Sequence, residues 1–86
     1  DTPEEVIAIN CLQIEKRRRK LSTKERKYLL SLKKPEVNLP YQFAASILLE
    51  SFQEADLIYE QMNEYERKLF DGFPIENLWK NPDYRS

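Results

Sequence analysis

The fold class is decided by residues 51–69, which read SFQEADLIYEQMNEYERKL. Five side chains recur there at intervals of three and four: Ala55, Ile58, Met62, Tyr65 and Leu69. This spacing places them on one face of an α-helix, over two heptads, which is too short to indicate a coiled coil. Gly72, the only glycine of the chain, lies where a helix is expected to stop. The pattern predicts a long helix that begins after Ser51 and ends before Gly72.

Three capping-box patterns, in which a Ser or Thr is followed three residues later by Glu, precede helical stretches. They are Thr2–Glu5, Ser22–Glu25 and Ser51–Glu54. In a capping box, each of the two side chains accepts a hydrogen bond from the backbone N–H of the other residue. The first two boxes predict two further helices, and the third marks the start of the long helix. Asn38-Leu39-Pro40 opens another helix, and a last helical turn follows Gly72. Their bounds are about Pro3 to Arg19, Thr23 to Leu32, Asn38 to Glu50, and Ile75 to Trp79 for the turn.

The composition favours an all-α fold. The 86 residues include one glycine, too few for hairpin turns, and no stretch alternates with a period of two. We predict one domain over residues 1–86, with four main helices in antiparallel hairpins, orthogonal or bundle-like, and a short C-terminal helical turn. Because the sequence begins at Asp1 and not at a methionine, we expect a processed chain or a piece of a longer protein.

The first predicted helix is apolar almost all round in its first half, which predicts burial on more than one side. Cys11, the only cysteine, has no internal disulfide partner, and we predict a buried, inert thiol. The hydrophobic residues of this helix and those on the hydrophobic faces of the other helices form the predicted core. Its members are Ile7, Cys11, Ile14, Leu29, Phe43, Ile47, Ala55, Ile58, Tyr59 and Met62.

The residue types argue against catalysis. The chain has no histidine, which removes the commonest general base and metal ligand, and one cysteine cannot build a structural zinc site. Four carboxylates lie near one another in the sequence: Glu50, Glu54, Asp56 and Glu60. They are interpreted as a solvated acidic face rather than a catalytic pair or a cation site. We expect no enzymatic activity, no metal and no cofactor, and no stretch is long enough to span a membrane.

The charge is unevenly distributed. Residues 1–37 hold ten Lys/Arg and six Asp/Glu, a net charge of +4, whereas residues 38–86 carry −5. Lys16 to Lys20 are five consecutive cations. Consecutive residues on a helix are about 100° apart, so these five cannot share one face. We expect them to be exposed and to attract the acidic second half or an acidic partner. The aromatic residues near the end of the sequence are predicted to belong either to the core or to an interface with a partner. The predicted partner-binding residues are Lys16, Arg17, Arg18, Arg19, Lys20, Lys24, Lys27, Phe73 and Trp79.

Residues 41–62 resemble a single tetratricopeptide-like helical hairpin. Phe52, Ala55 and Tyr59 match the aromatic, small and aromatic positions of that family's second helix. Phe43 departs from the pattern, because it stands where the first helix would carry a small residue. The resemblance implies two helices packed closely at Ala55, in a hairpin that in this family belongs to a longer helical array.

These observations favour a non-catalytic helical domain for protein–protein interaction or an accessory role. The expected partner is another protein or a sibling domain of the same protein, in the cytoplasm and without a membrane. The alternative is a nucleic-acid-binding domain that uses the basic region 16–34, since cations at this density release counterions from phosphates.

Overall fold

A computed structural model describes residues 3–69 and 78–80, and within them the chain is helical. The helices are α1 (Glu4–Arg18), α2 (Thr23–Ser31), α3 (Leu39–Leu48), α4 (Phe52–Gln61) and α5 (Glu64–Lys68). Residues 78–80 add a helical turn. Helix accounts for 74% of the described residues and strand for none of them, which confirms the all-α prediction.

Helix α3 is the centre of the fold. Its ten residues contain no charged side chain, and all six from Phe43 to Leu48 are buried. It packs most extensively against α4 and also contacts α1, α2 and α5. Ala44 and Ala45 are fully buried and let neighbouring helices approach closely. An apolar helix covered on all sides is the arrangement that the hydrophobic effect favours.

The turn between α3 and α4 forms without a glycine. Glu50 has a φ of 62°, in the left-handed region that glycine usually occupies at the end of a helix. Its N–H donates to Ile47 O at 3.0 Å, and the N–H of Ser51 donates to Ser46 O at 2.8 Å. These two bonds satisfy carbonyls at the end of α3, and they fix the close approach of α3 and α4.

The predicted capping boxes have different outcomes. Ser22 and Glu25 form the expected box, with Glu25 N–H to Ser22 Oγ at 3.1 Å and Ser22 N–H to Glu25 Oε1 at 2.7 Å. The box at Ser51 is wrong, because the Ser51 side chain makes no capping bond. The α3–α4 turn holds Ser51 at ψ 65°, away from the extended conformation of an N-cap. Thr2 lies outside the described residues.

The long helix predicted over residues 51–69 is interrupted, and this corrects the prediction. Met62 has an extended backbone conformation, and Asn63 begins α5. Asn63 and Glu66 form an unpredicted capping box, with bonds of 2.8 and 2.9 Å. The break rotates the hydrophobic stripe away from the core, so that Met62 is buried while Tyr65 is 82% exposed.

The predicted core is correct around α3 and wrong on α1. Five predicted residues are buried: Leu29, Phe43, Ile47, Ala55 and Met62. Ile58 and Tyr59 are half-buried against this core. Ile7, Cys11 and Ile14 are exposed, because α1 turns a different face inward. That inward face consists of Val6, Ile9 and Gln13.

Candidate helical interaction surface

The five consecutive cations that end α1 do not act as one group. Lys16 is turned toward the end of α3, where its Nζ lies 3.7 Å from Glu50 Oε2. Arg17, Arg18 and Lys20 are exposed, as expected. Arg19 follows the last residue of α1 and reaches α2 instead of the acidic second half. The run therefore divides between two parts of the fold and solvent.

Arg19 links the end of α1 to the beginning of α2. Its Nη1 and Nη2 donate to the two carboxylate oxygens of Glu25 at 2.9 and 3.0 Å, a bidentate pair. Its Nε also lies 3.2 Å from Glu15 Oε2. The bond from Arg19, with those from Ser22, lowers the pKa of Glu25 from 4.5 to about 2, and the pKa of Arg19 is raised. The Ser22 capping box and this pair together fix the angle at which α2 leaves α1.

Two ion pairs join the basic first half to the acidic second half, as the charge distribution predicts. They are Lys16–Glu50 and Lys33–Glu54, the latter at 2.6 Å. The Glu50 and Glu54 side chains are 61% and 57% exposed, so solvent screens both pairs. Glu50 and Glu54 therefore make contacts within the fold. Asp56 likewise accepts a hydrogen bond from the Trp79 indole at 2.9 Å.

The two aromatic residues predicted to bind a partner have separate outcomes. Trp79 packs against Phe43 and Tyr59, with ring centroids 5.0 and 4.7 Å away. Trp79 is half-buried and packs against the core, which stabilises the fold, and its contact with a partner stays a prediction. Phe73 lies outside the described residues.

The solvent side of α1 carries a hydrophobic stripe whose residues were predicted to be buried in the core. Ile7 and Ile14 are 53% and 51% exposed, and Cys11 between them is exposed as well. The intervals of four and three residues place the three side chains on one face, opposite Val6, Ile9 and Gln13. We call Ile7, Cys11 and Ile14 the α1 stripe.

An apolar groove adjoins the α1 stripe where α1 and α2 diverge. It has a volume of about 380 Å³ and shares Cys11 with the stripe. Its other lining residues are Ala8, Leu12, Lys24, Glu25 and Tyr28. Burial, followed by the charges of Glu5 and Glu4, raises the pKa of the Tyr28 phenol. The stripe and the groove form one continuous apolar surface with charged groups at its edges.

Two of the predicted partner-binding lysines lie beside this surface. Lys24 lines the groove, and Lys27 is exposed one helical turn further along α2. Neither is in an ion pair within residues 3–69. Sequence reasoning missed this surface. The hydrophobic residues almost all round α1 were the available signal, but that pattern does not show which face packs on α3.

Among residues 3–69 and 78–80, no three acidic or cysteine side chains are close enough together to hold a metal ion. None of the helices in this part of the chain combines the length and the apolar character that crossing a bilayer requires. Comparison of the chain with protein-family models, curated proteins and solved structures finds no match. The tetratricopeptide-like resemblance of residues 41–62 therefore stays a prediction.

Proposed function

We propose that this chain is a non-catalytic protein–protein interaction domain whose binding surface is the α1 stripe with the adjoining groove. The observation that carries the proposal is the exposure of Ile7, Cys11 and Ile14 on the helix face opposite the core. Scattered exposed hydrophobic residues are normal, but three on one face beside an apolar groove form a contiguous patch. Such a patch suits the apolar face of a partner helix.

The edges of the surface favour a partner of mixed charge. Lys24 and Glu25 line the groove side by side, and Arg19 holds Glu25 in place. A partner helix would place its hydrophobic residues on the stripe and its charged residues on this rim, where they set orientation more than affinity. Lys24, one of the basic residues predicted from the sequence, thus lies at the edge of the surface and not at its centre.

A selection of helical peptides tests the proposal. A library of amphipathic helices is displayed against the immobilised chain and counter-selected against the double variant Ile7→Asp/Ile14→Asp. We expect peptides that bind the chain with a Kd of about 10–100 µM and bind the double variant at least tenfold more weakly.

Leu57→Asp provides the matched control. Leu57 is 59% exposed on α4, so this variant places a charge on an equally exposed hydrophobic position away from the stripe. Selected peptides should bind it as they bind the unchanged chain. Peptides that bind all three proteins equally, or a selection that yields none, would refute the proposed function.

Nucleic-acid binding is the second candidate, and one observation favours it. Lys20, just before α2, and Lys24 and Lys27, one turn apart on α2, are exposed and form no ion pair within residues 3–69. Binding of a generic DNA duplex is measured against salt concentration. About three phosphate contacts would give a slope near −3 in a plot of log affinity against log salt. Lys24→Glu/Lys27→Glu should then abolish binding, while a flat response in the unchanged chain rejects this candidate.

A further inference from the structure

The α1 stripe is bounded by opposite charges at its two ends. Glu4 lies one turn before Ile7 in the first turn of α1, and Arg18 lies one turn after Ile14 in the last. Both side chains are exposed, and within the described part of the chain neither is in an ion pair. At 100° per residue, positions 4, 7, 11, 14 and 18 follow one face of the helix. The face therefore runs from acidic through apolar to basic.

The positions on this face are nearly symmetric about Cys11, and the charges at its two ends are opposite. Glu4 and Arg18 are each seven residues from Cys11, and Ile7 and Ile14 are four and three residues from it. If two such faces meet in antiparallel orientation with Cys11 at the centre, each Ile7 lies against the other chain's Ile14. Each Glu4 then lies near the other chain's Arg18. The face is complementary to itself, which is the property that a two-fold symmetric interface requires.

We infer that the partner of the α1 stripe is a second copy of this chain, bound through an antiparallel α1–α1 contact. This inference rests on the proposed function and names the partner for the same surface. A parallel contact would place Glu4 against Glu4 and Arg18 against Arg18, and like charges would oppose it. The antiparallel arrangement pairs both ends and buries all three members of the stripe.

The size of the contact sets its strength. α1 has 15 residues and is about 22 Å long, so two crossed or aligned copies bury less than the roughly 1,200 Å² of an ordinary stable interface. The groove beside Cys11 adds apolar area from Leu12 and Tyr28. We therefore expect a reversible dimer with a Kd of about 10–100 µM.

Sedimentation equilibrium over a concentration series from about 2 to about 500 µM tests the inference in the reduced chain. The average mass should rise from that of a monomer to that of a dimer. Ile7→Asp/Ile14→Asp should weaken dimerisation at least about 100-fold, since four isoleucines leave the interface. Leu57→Asp should dimerise like the unchanged chain.

The charged ends test the orientation. Glu4→Lys alone and Arg18→Glu alone each create two like-charge contacts in the antiparallel dimer, and each should weaken dimerisation about tenfold. The double variant Glu4→Lys/Arg18→Glu reverses both ends and should restore most of the lost affinity. In a parallel dimer the double variant would show no such restoration, which would refute the antiparallel arrangement.

Cys11 reports on the centre of the contact. In the dimer the two thiols meet near the symmetry axis, so oxidised glutathione should join them as a disulfide while it is itself reduced to two thiols. We expect rapid cross-linking of the unchanged chain and at least tenfold slower cross-linking of Ile7→Asp/Ile14→Asp. Equal cross-linking rates in the two proteins would contradict the central position of Cys11.

The two proposals fail in different ways. A chain that stays monomeric up to about 500 µM refutes the homodimer. If selective peptides still bind the stripe, the proposed function stands and the partner is a different protein. A homodimer that forms equally well in Ile7→Asp/Ile14→Asp uses another surface and refutes this inference.

Discussion

Helices α1 and α3 are both rich in hydrophobic residues but occupy opposite environments. In α3 the six residues from Phe43 to Leu48 are buried, because four other helices surround it. In α1 only Val6, Ile9 and Gln13 are buried, and Ile7 and Ile14 are more than half exposed. The hydrophobic residues of a helix set an upper limit on the area that it can bury. The number of neighbouring helices decides how much of that area is buried. In α1 the remaining hydrophobic surface faces solvent, and we propose that a partner covers it.

The largest expected effect on stability comes from truncating one isoleucine in each of the two helices. Ile47 is fully buried in α3, so Ile47→Ala should lower the free energy of unfolding by about 2–5 kcal/mol. Ile14→Ala removes the same atoms from an exposed site and should cost less than about 0.5 kcal/mol. Urea denaturation at a low micromolar concentration, below the Kd expected for the proposed dimer, measures both. Equal losses would mean that the α1 stripe is part of the core.

A smaller effect is expected on the inward face of α1. Gln13 is 3% exposed, and its Oε1 has no hydrogen-bond partner within the described structure. Gln13→Met keeps the length of the side chain and removes the unsatisfied oxygen, which should raise the free energy of unfolding by about 1–2 kcal/mol. Gln53→Met at an exposed position of α4 is the control and should change it by less than about 0.5 kcal/mol. Destabilisation by Gln13→Met would show that the amide is satisfied in solution.

The capping residues test how α1 is held beside α2. Ser22→Ala removes the hydrogen bond to Glu25 N–H and should cost about 1 kcal/mol in thermal or urea unfolding. Ser51→Ala removes a hydroxyl from the same sequence pattern, but that side chain makes no capping bond. It should cost less than about 0.5 kcal/mol. Similar losses in the two variants would show that Ser51 caps α4.

The smallest effect concerns the pH dependence of the Arg19–Glu25 pair. The folded pKa of Glu25 is about 2 and its ordinary value is 4.5, so the carboxylate stabilises the fold fully above pH 4.5. That stabilisation is lost as the pH falls from 4.5 toward 2. Glu25→Gln should therefore unfold with a weaker pH dependence in this window. Arg19→Gln, which removes the first cause of the shift, should give an intermediate dependence, and identical profiles in all three proteins would exclude a lowered pKa.

Local patterns predicted the local structure well where short-range bonds decide it. The box at Ser22 forms as the spacing predicts. The same rule failed at Ser51, because the turn that joins α3 to α4 fixes its backbone first. It also passed over Asn63, whose box with Glu66 ends the hydrophobic stripe of α4. At each of these two sites, two local signals compete, and neither sequence pattern by itself shows which one prevails.

The candidate surface was predicted only in part. The exposure of Arg17, Arg18 and Lys20 follows from their spacing, since consecutive residues point around the helix. The exposure of Ile7, Cys11 and Ile14 could not be derived, because α1 has hydrophobic residues on two faces. Either face was able to pack on α3, and the choice depends on the shape of that neighbour.

The sequence by itself determined that the chain is helical, where most helices begin, and that its two halves carry opposite charge. These properties depend on residues a few positions apart and on composition, which a chain carries into any fold. Only the tertiary structure decided that α3 is the centre and that the α1 stripe faces solvent. Burial is a property of neighbours, and the packing of α1 on α3 through Val6 and Ile9 leaves Ile7 and Ile14 on the opposite side.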